Sequence, residues 1–382
     1  MSRFIFCSEP YHGHVSPVLL LVQELVQRGA DVFFYTAEPF RDAVEASGAS
    51  FRPIPDVQRK TTSSFTVPVV RKSHEILQAI VDTARADQPD CLVYDAMSLW
   101  AMLLAKILAT PAARIYSIFP SNDAFHPLDT YSPLDPVKEQ YPEFDQDMHR
   151  LCDLYRLPAI SYHDAVFQAE PLNLVRFLPD FFPARDLFDE RFHFPGPFLN
   201  PPPPPSPQPS VDPSPEPSLY ISLGTVNTNV PPFYDLCLSA FGHQEQHVVI
   251  STGSQLDLSL FGSIPDNISM SPRVPQTQVL QQASAFITHG GMNSIMEALY
   301  FAVPMVVVPL TLEQTLNARR VEELHLGRVV RDRELTAHKL RTAVTHVQND
   351  PAIQASLAHL RHVSQQTQGI SQAADLLLQS SS

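Results

Sequence analysis

The chain has 382 residues, of which 44% are hydrophobic and 17% charged, enough apolar surface for two domains of ordinary size. Its formal net charge of -14 disfavours nucleic acids and anionic membranes as partners. Its apolar stretches are too short or too interrupted for a spanning helix or a signal peptide, and its four cysteines show no C-x-x-C spacing. These features predict a cytoplasmic protein in a reducing compartment.

Short β-branched or aromatic runs alternate with helical patterns along both halves of the chain. The runs cover residues 4–8, 32–36, 91–94, 113–118, 219–223, 248–251, 285–288 and 305–308. Such alternation is typical of parallel sheets flanked by helices. We therefore predict an α/β fold of two Rossmann-like domains facing each other across a cleft, with ligands at the carboxyl ends of the strands.

A proline-rich segment divides the chain near its middle. Residues 201–217 contain ten prolines, five of them consecutive, and such a composition favours a stiff polyproline II tether over helix or sheet. A docking ligand for a partner domain is the alternative. We place the N-terminal domain at 1–200, the linker at 201–217, the C-terminal domain at 218–368 and a last helical segment at 369–382.

Two histidines lie between the first strand and the first helical pattern. Ser16 suits an N-cap and Pro17 the first helical position, so His14 is expected just outside a helix N-terminus, whose positive end disfavours imidazolium. A neutral His14 could take a proton from an alcohol or phenol. Asp95, after the strand 91–94, could orient the ring and stabilise its developing charge. The alternative is a hydrogen-bonded structural histidine.

His12 and His14 together form an H-x-H pair, which raises the alternative of a zinc site. The chain offers no C-x-x-C motif downstream. We therefore predict that no metal is bound, and we assign His12 to the acceptor side of the site.

The most informative stretch of the sequence joins a strand end, two glycines and a helix start. Gly290 and Gly291 allow a turn that comes close to a ligand, and the helix N-terminus offers free N–H groups to an anion. Asn293 and Ser294 add donors in the first turn, and Glu297 lies one turn deeper. A diphosphate at the turn and a ribose diol at Glu297 fit this pattern. The alternative is a capped helix with a solvated glutamate.

Five motifs, in this order and spacing, resemble those of family 1 glycosyltransferases. Within that family the chain is most similar to the bacterial macrolide and natural-product glycosyltransferases that also accept phenolics. The motifs are His12-Gly13-His14-Val15-Ser16-Pro17, Ile221-Ser222-Leu223-Gly224-Thr225, Arg273-Val274-Pro275-Gln276, the Thr288–Glu297 stretch and Glu313-Gln314. The resemblance covers essentially the whole chain and implies the GT-B fold, with the acceptor in the N-terminal domain and the nucleotide sugar in the C-terminal one.

The resemblance also implies an inverting transfer without metal or other cofactor. His14 would deprotonate the acceptor hydroxyl, with Asp95 as its partner, and the oxygen would attack the anomeric carbon as the nucleoside diphosphate leaves. The implied donor-binding residues are Thr225, Arg273, Val274, Gln276, His289, Gly290, Gly291, Asn293, Ser294, Glu297, Glu313 and Gln314.

Four of these residues bear on the identity of the donor. Glu297 would accept both ribose hydroxyls, which favours uridine over deoxythymidine, and Gln314 at the end of the last motif often accompanies glucose. Arg273 stands where many members carry a tryptophan that stacks on the base, and a guanidinium plane can also stack on uracil. Glu313 stands where plant relatives usually carry aspartate. UDP-glucose is the predicted donor.

The acceptor pocket is predicted to lie between segments 56–74 and 119–163. Its candidate lining comprises His12, Met97, Phe119 and Phe125, with plain core packing as the alternative. An apolar, aromatic pocket would suit a flavonoid, another phenol or a macrolide, in a monomer or weak homodimer. Two alternatives to a transferase are an epimerase-like enzyme of the same fold and a sugar-nucleotide binder.

Overall fold

The computed structural model describes residues 2–56, 66–127, 142–199, 218–226, 228–331 and 335–381. The predicted linker and parts of both predicted acceptor segments lie outside these ranges. The chain divides into two compact units, Met1–Leu199 with Gln368–Ser382, and Asn200–Thr367.

In the described part of the first unit, a parallel sheet of seven strands is covered by helices on both faces. Its strands are β1 (Arg3–Cys7), β2 (Asp31–Thr36), β3 (Ser50–Pro53), β4 (Cys91–Asp95), β5 (Ala112–Tyr116), β6 (Leu172–Val175) and β7 (Phe192–His193), in the order β3-β2-β1-β4-β5-β6-β7. Its helices are α1 (His12–Gln27), α2 (Arg41–Ala46), α3 (Thr66–Asp87), α4 (Leu99–Leu108), α5 (Pro142–Tyr155) and α6 (Tyr162–Phe167).

Alternate residues of β1 enter two separate hydrophobic cores. Phe4 and Phe6 belong to the core beneath α1, whereas Ile5 and Cys7 belong to the core beneath α3 and α4. Burial on both faces explains why this strand is continuously apolar, as expected of a parallel sheet between helices.

The last helix, α13 (Gly369–Ser380), packs within the first unit, although the whole second unit lies between them in sequence. Ala373, Ala374 and Leu377 lie in the core beneath α1. Arg28, just after α1, donates to Asp375 at 2.5 Å and to Ser371 at 2.7 Å. The small alanines let α13 approach α1 closely.

The described part of the second unit contains a parallel sheet of six strands. These are β8 (Ser218–Ser222), β9 (Val248–Ser251), β10 (Ile268–Ser271), β11 (Ala283–Thr288), β12 (Met305–Val307) and β13 (Gly327–Val329), in the order β10-β9-β8-β11-β12-β13. Its helices are α7 (Pro231–Phe241), α8 (Gln276–Leu280), α9 (Met292–Phe301), α10 (Leu312–Glu323), α11 (Ala337–Asn349) and α12 (Pro351–Gln366). The predicted α/β class with two parallel sheets is confirmed.

All eight predicted strands are present, with ends that differ by at most about two residues. Five further strands, β3, β6, β7, β10 and β13, were not predicted. Four of them lie at sheet edges. Edge strands are short and only partly covered, so their sequences mix polar and apolar residues, as in Ser50–Pro53 and Gly327–Val329, and lack a continuous apolar run.

The strand order reverses direction at one point in each sheet. In the first sheet this point lies between β1 and β4, and in the second between β8 and β11. At such a switch point neighbouring crossovers leave in opposite directions, so a crevice opens at the carboxyl ends of the two strands. Asp95 ends β4, and His14, Thr225 and His289 follow β1, β8 and β11.

The four cysteines are buried, and no disulfide joins them. Burial raises the pKa of the Cys91 thiol to about 12, so it stays protonated at neutral pH. Among the described helices, none combines the length and apolar character needed to cross a membrane.

Candidate active site

His14 and Asp95 meet at the switch point of the first sheet. His14 Nδ1 lies 2.6 Å from Asp95 Oδ2, and Asp95 Oδ1 accepts a hydrogen bond of 2.8 Å from the Met97 backbone N–H. The side chain of His14 is 23% exposed and that of Asp95 only 2%. A ligand can therefore reach the imidazole but not the carboxylate, and Asp95 is placed to fix the ring through Nδ1.

The start of α1 differs from the prediction. The helix begins at His12 with Tyr11 as N-cap, so His14 lies inside its first turn, Ser16 is not the cap and Pro17 lies within the helix. An interior proline is compatible with the helix this close to the N-terminus because few carbonyls precede it.

A buried arginine completes this first turn. Pro17 has no N–H to donate to the carbonyl of Gly13, four residues earlier. Arg176, directly after β6 and 3% exposed, donates Nη2 to that carbonyl at 2.8 Å. The sequence prediction missed Arg176. The signal that could have revealed it is Pro17, because a proline inside α1 leaves one backbone carbonyl in need of another donor.

The pKa of His14 is raised, in contrast to the predicted effect of the helix end. Burial is the largest influence and lowers this pKa, but the charge and hydrogen bond of Asp95 together reverse the effect. The charge of Arg176 lowers it and that of Glu9 raises it. His14 is consequently a stronger base than an isolated histidine, and it needs a somewhat higher pH to be neutral.

A second buried carboxylate lies beside this pair. Glu9 follows β1 and accepts hydrogen bonds from Trp100 Nε1 at 2.9 Å and from Lys72 Nζ at 2.5 Å. Both of its oxygens are thus engaged, and the ammonium group compensates its charge. The contact anchors α3 and α4 to the strand end that precedes His14.

In the second unit, the turns after β8 and β11 enclose His289. A Cβ atom on Gly224 would lie 2.7 Å from this ring, and one on Gly291 would lie 2.5 Å from its Nε2. Both glycines are therefore required by close approach to the imidazole. Burial lowers the pKa of His289 to about 4, so it is neutral at pH 7. Its Nδ1 is buried and has no hydrogen-bond partner among the described residues.

Glu297 is held in a polar network at the start of α9. It accepts a hydrogen bond of 2.6 Å from Gln276 Nε2, which also lies 3.3 Å from Ser294 Oγ. The Tyr220 hydroxyl donates to the side-chain oxygen Oε1 of Gln276 at 3.1 Å. Glu297 is half-buried and hydrogen-bonded, which does not match the alternative of a solvated glutamate. Burial raises its pKa to about 7. The sequence grouped Gln276 with the base-binding motif, and the structure pairs it with Glu297.

The last predicted motif lies at the start of α10. Thr311 and Gln314 form a capping box, in which Gln314 Oε1 accepts from the backbone N–H groups of Leu310 at 2.8 Å and Thr311 at 3.1 Å. The Gln314 amide nitrogen remains as the donor that could meet a sugar hydroxyl. Glu313 Oε1 accepts from Asn317 Nδ2 at 3.1 Å, a contact that the sequence prediction missed.

The remaining donor candidates occupy the rim of the second sheet. Thr225 is exposed in the turn that follows β8. Arg273 is exposed in the loop between β10 and α8. Val274 is half-buried beside Arg273, and Asn293 lies in the first turn of α9. These residues share the carboxyl edge of the sheet with His289.

The predicted acceptor residues divide into two groups. Met97 is 40% exposed next to Asp95, and the His12 ring lies edge-on to Phe40 with 5.0 Å between ring centroids. Phe119 and Phe125 are 4% and 7% exposed in a phenylalanine cluster around Phe182. For these two phenylalanines the packing supports the alternative of plain core. Parts of segments 56–74 and 119–163 lie outside the described residues.

No group of three or more His, Cys, Asp or Glu side chains within the described ranges is arranged to hold a metal ion. His14 is engaged with Asp95, while the His12 ring packs against Phe40, so the two members of the H-x-H pair have different neighbours.

Two family models match separate parts of the chain. The glycosyltransferase family 28 N-terminal domain matches residues 12–119, which include His14 and Asp95. The C-terminal domain of the erythromycin biosynthesis protein CIII-like family matches residues 235–368, which include the turn after β11 and the start of α10.

Similar proteins cover the full length of the chain. NDP-glycosyltransferase YjiC of Bacillus licheniformis is 33% identical over 96% of this chain and 94% of its own. Oleandomycin glycosyltransferase of Streptomyces antibioticus is 29% identical over 96% and 88%. The solved structure of the glycosyltransferase of kitacinnamycin is 29% identical, with a TM-score of 0.86 over 99% of this chain and 98% of that one.

These matches agree with the resemblance drawn from the five motifs. The calicheamicin glycosyltransferase CalG4 gives a TM-score of 0.83 at 30% identity, over 99% of this chain and 98% of its own. The two parallel-sheet units therefore have the GT-B glycosyltransferase fold. The chain belongs to the bacterial natural-product glycosyltransferase family, and it is a glycosyltransferase of the macrolide and natural-product type.

Proposed function

We propose that this protein is an inverting, metal-independent glycosyltransferase. It transfers a hexose from a UDP-sugar to a hydroxyl of a hydrophobic small molecule such as a phenol, flavonoid or macrolide. The proposed hexose is glucose. The observation that carries this proposal is the 2.6 Å contact between the partly exposed His14 and the buried Asp95 at the switch point of the first sheet.

His14 acts as the general base. Its Nδ1 carries a proton toward Asp95, so Nε2 is the nitrogen that can accept the acceptor hydroxyl proton. As it loses its proton, the acceptor oxygen forms a bond to the anomeric carbon. The bond from that carbon to the diphosphate oxygen breaks, and its electron pair leaves with the diphosphate. Attack opposite the leaving group inverts the configuration. Asp95 stabilises the imidazolium that forms.

The turn after β11 receives the diphosphate. The N-terminus of α9 presents backbone N–H donors, and the neutral His289 can offer one ring N–H to a phosphate oxygen without carrying charge. Such donors stabilise the negative charge that develops on the leaving group.

UDP is the donor nucleotide in this proposal because Glu297 can bind a ribose diol. As a carboxylate it can accept from both hydroxyls, and deoxythymidine has only one of them. Two Bacillus subtilis relatives that are named uncharacterized UDP-glucosyltransferases, YdhE and YojK, are 29% and 26% identical to this chain and support UDP-glucose. Oleandomycin glycosyltransferase supports a macrolide-type acceptor.

A UDP-release assay with UDP-glucose tests the proposal. The assay is run with and without a panel of phenolic and macrolide acceptors, in the presence and absence of EDTA, and products are weighed by mass spectrometry. A hexose increment that needs acceptor and survives EDTA supports the proposal. UDP release without acceptor would favour hydrolysis or epimerase-like chemistry, and activity restored by zinc after EDTA would refute metal independence.

The turnover rate is expected to rise with pH through the pKa of His14. Because this pKa lies above the ordinary histidine value of about 6.5, the protonated, inactive form persists above that pH. The rate measured with saturating donor and acceptor should therefore be low at pH 6 and reach its plateau only above about pH 7. A plateau already complete at pH 6 would contradict His14 as the base.

Replacement of Asp95 by asparagine is expected to lower turnover by about 10- to 100-fold, which is the value of one hydrogen bond to a charged group. The amide would present its NH₂ either to His14 or to the Met97 N–H, so one of the two contacts is lost. The midpoint of the pH profile should also move down, because the charge of Asp95 that raises the His14 pKa is removed. An unchanged midpoint would show that Asp95 does not influence the pKa of the catalytic base.

A further inference from the structure

The side-chain amide of Asn317 joins the sugar end of the donor site to its diphosphate end. Its Nδ2 lies 3.0 Å from the carbonyl oxygen of Gly290 and 3.1 Å from Glu313 Oε1. Asn317 is 1% exposed, so neither contact competes with water. We infer that Asn317 is a positioning residue that orients the diphosphate-binding turn, an inference that rests on the proposed UDP-dependent function.

The orientation acts through one peptide group. The carbonyl of Gly290 and the N–H of Gly291 belong to the same trans peptide plane and point in opposite directions. Because Asn317 holds the carbonyl toward α10, the Gly291 N–H is directed away from α10. Gly291 is the N-cap of α9, so this peptide also sets how the helix begins. A donor whose direction is fixed before binding loses no entropy when the anion arrives.

Few other contacts could hold the turn in the same way. Gly290 has a φ of +85°, and a Cβ atom there would lie 2.7 Å from Val307 Cγ1. Among the described residues, the Gly290 N–H bonds locally, to Thr288 Oγ1 at 3.2 Å. The contact with Asn317 ties the Gly290 peptide to another element through a long-range hydrogen bond.

Asparagine is otherwise a poor choice for this position. It is an unfavourable residue in a helix interior, and a buried amide must be hydrogen-bonded to be compatible with a folded core. Its two N–H donors match the two oxygens it meets. An aspartate of the same shape would have no donor for either oxygen and would repel Glu313.

The test compares UDP with uridine as calorimetric titrants of the full-length protein. Neither carries a sugar, so contacts of Glu313 with a sugar do not enter, and uridine lacks the diphosphate. In Asn317→Asp the affinity for UDP should fall about tenfold, whereas the affinity for uridine should stay within about twofold. Retained uridine binding also shows that the variant is folded.

The double variant Glu313→Gln with Asn317→Asp separates the two contacts. The new glutamine can donate to the new carboxylate, which restores a hydrogen bond within α10 and removes the repulsion, so the thermal midpoint should recover. The Gly290 carbonyl still lacks a donor, so the affinity for UDP should stay low. Glu313→Gln alone is the matched reference, and the UDP affinity of the double variant is compared with the affinity measured for it.

Three outcomes would overturn the inference. If Asn317→Asp loses uridine and UDP affinity equally, Asn317 supports the fold and not the turn. If the double variant regains UDP affinity, the bond to Glu313 is the one that matters. If the parent protein binds UDP no better than uridine, the proposed donor is wrong and the role of Asn317 fails with it.

Discussion

Replacement of His14 by alanine is expected to lower turnover with hydroxyl acceptors by about 10²- to 10⁴-fold, the usual contribution of a positioned general base. The imidazole is the partly exposed member of the pair with Asp95, and no other histidine in the described ranges contacts that carboxylate. The affinity for UDP should change little, because His14 belongs to the first unit and the donor residues belong to the second.

The measurement is turnover at saturating donor and acceptor, with calorimetric UDP titration on the same preparation. An acceptor with an acidic phenol provides the internal control, because a phenol that is already ionised at the assay pH does not need the base. The loss should therefore be smaller for such a phenol than for an aliphatic alcohol. Unchanged turnover with the alcohol would refute His14 as the base.

Replacement of Glu297 by alanine is expected to weaken UDP binding by about 10²-fold and TDP binding by clearly less. Hydrogen bonds to a charged acceptor are worth about 1.5–3 kcal/mol each, and TDP lacks the 2′-hydroxyl that would form one of them. Gln276 would also lose its shortest hydrogen bond in the variant. Calorimetric titration of both nucleotides measures the two losses, and equal losses would remove the ribose assignment.

The raised pKa of Glu297 gives this prediction a pH signature. Burial places this pKa at about 7, so Glu297 of the ligand-free protein is partly protonated at pH 7. Binding of a diol to the carboxylate requires loss of that proton. The affinity for UDP should therefore decline as the pH falls below about 7. Glu297→Gln keeps the size of the side chain but cannot titrate. This variant should bind UDP more weakly and should not show the decline in affinity that protonation of Glu297 causes.

The fold could be predicted from the sequence as far as its buried strands. A central strand such as β1 is apolar throughout because helices cover both faces of the sheet, and this produces a run that can be recognised locally. Edge strands such as β13 leave no such run. The start of α1 was misplaced because Ser16-Pro17 also fits a helix start, and only the Arg176 contact shows how the helix continues through the proline.

The sequence by itself determined which chemical groups follow each central strand. A histidine after β1, an aspartate at the end of β4 and two glycines after β11 are local features, and their order along the chain carries the resemblance to the glycosyltransferase family. Parallel strands bring their carboxyl ends to one edge, so local positions were enough to place these residues at the same edge of their sheets.

Only the tertiary structure decided how these groups act on one another. His14 and Asp95 are 81 residues apart, Arg176 and Gly13 are 163 apart, and Asn317 and Gly290 are 27 apart. Hydrogen bonds and pKa values depend on distances of a few ångströms and on the exclusion of water, neither of which a linear pattern records. For that reason the direction of the His14 pKa, the pairing of Gln276 with Glu297 and the role of Asn317 became apparent only in the folded chain.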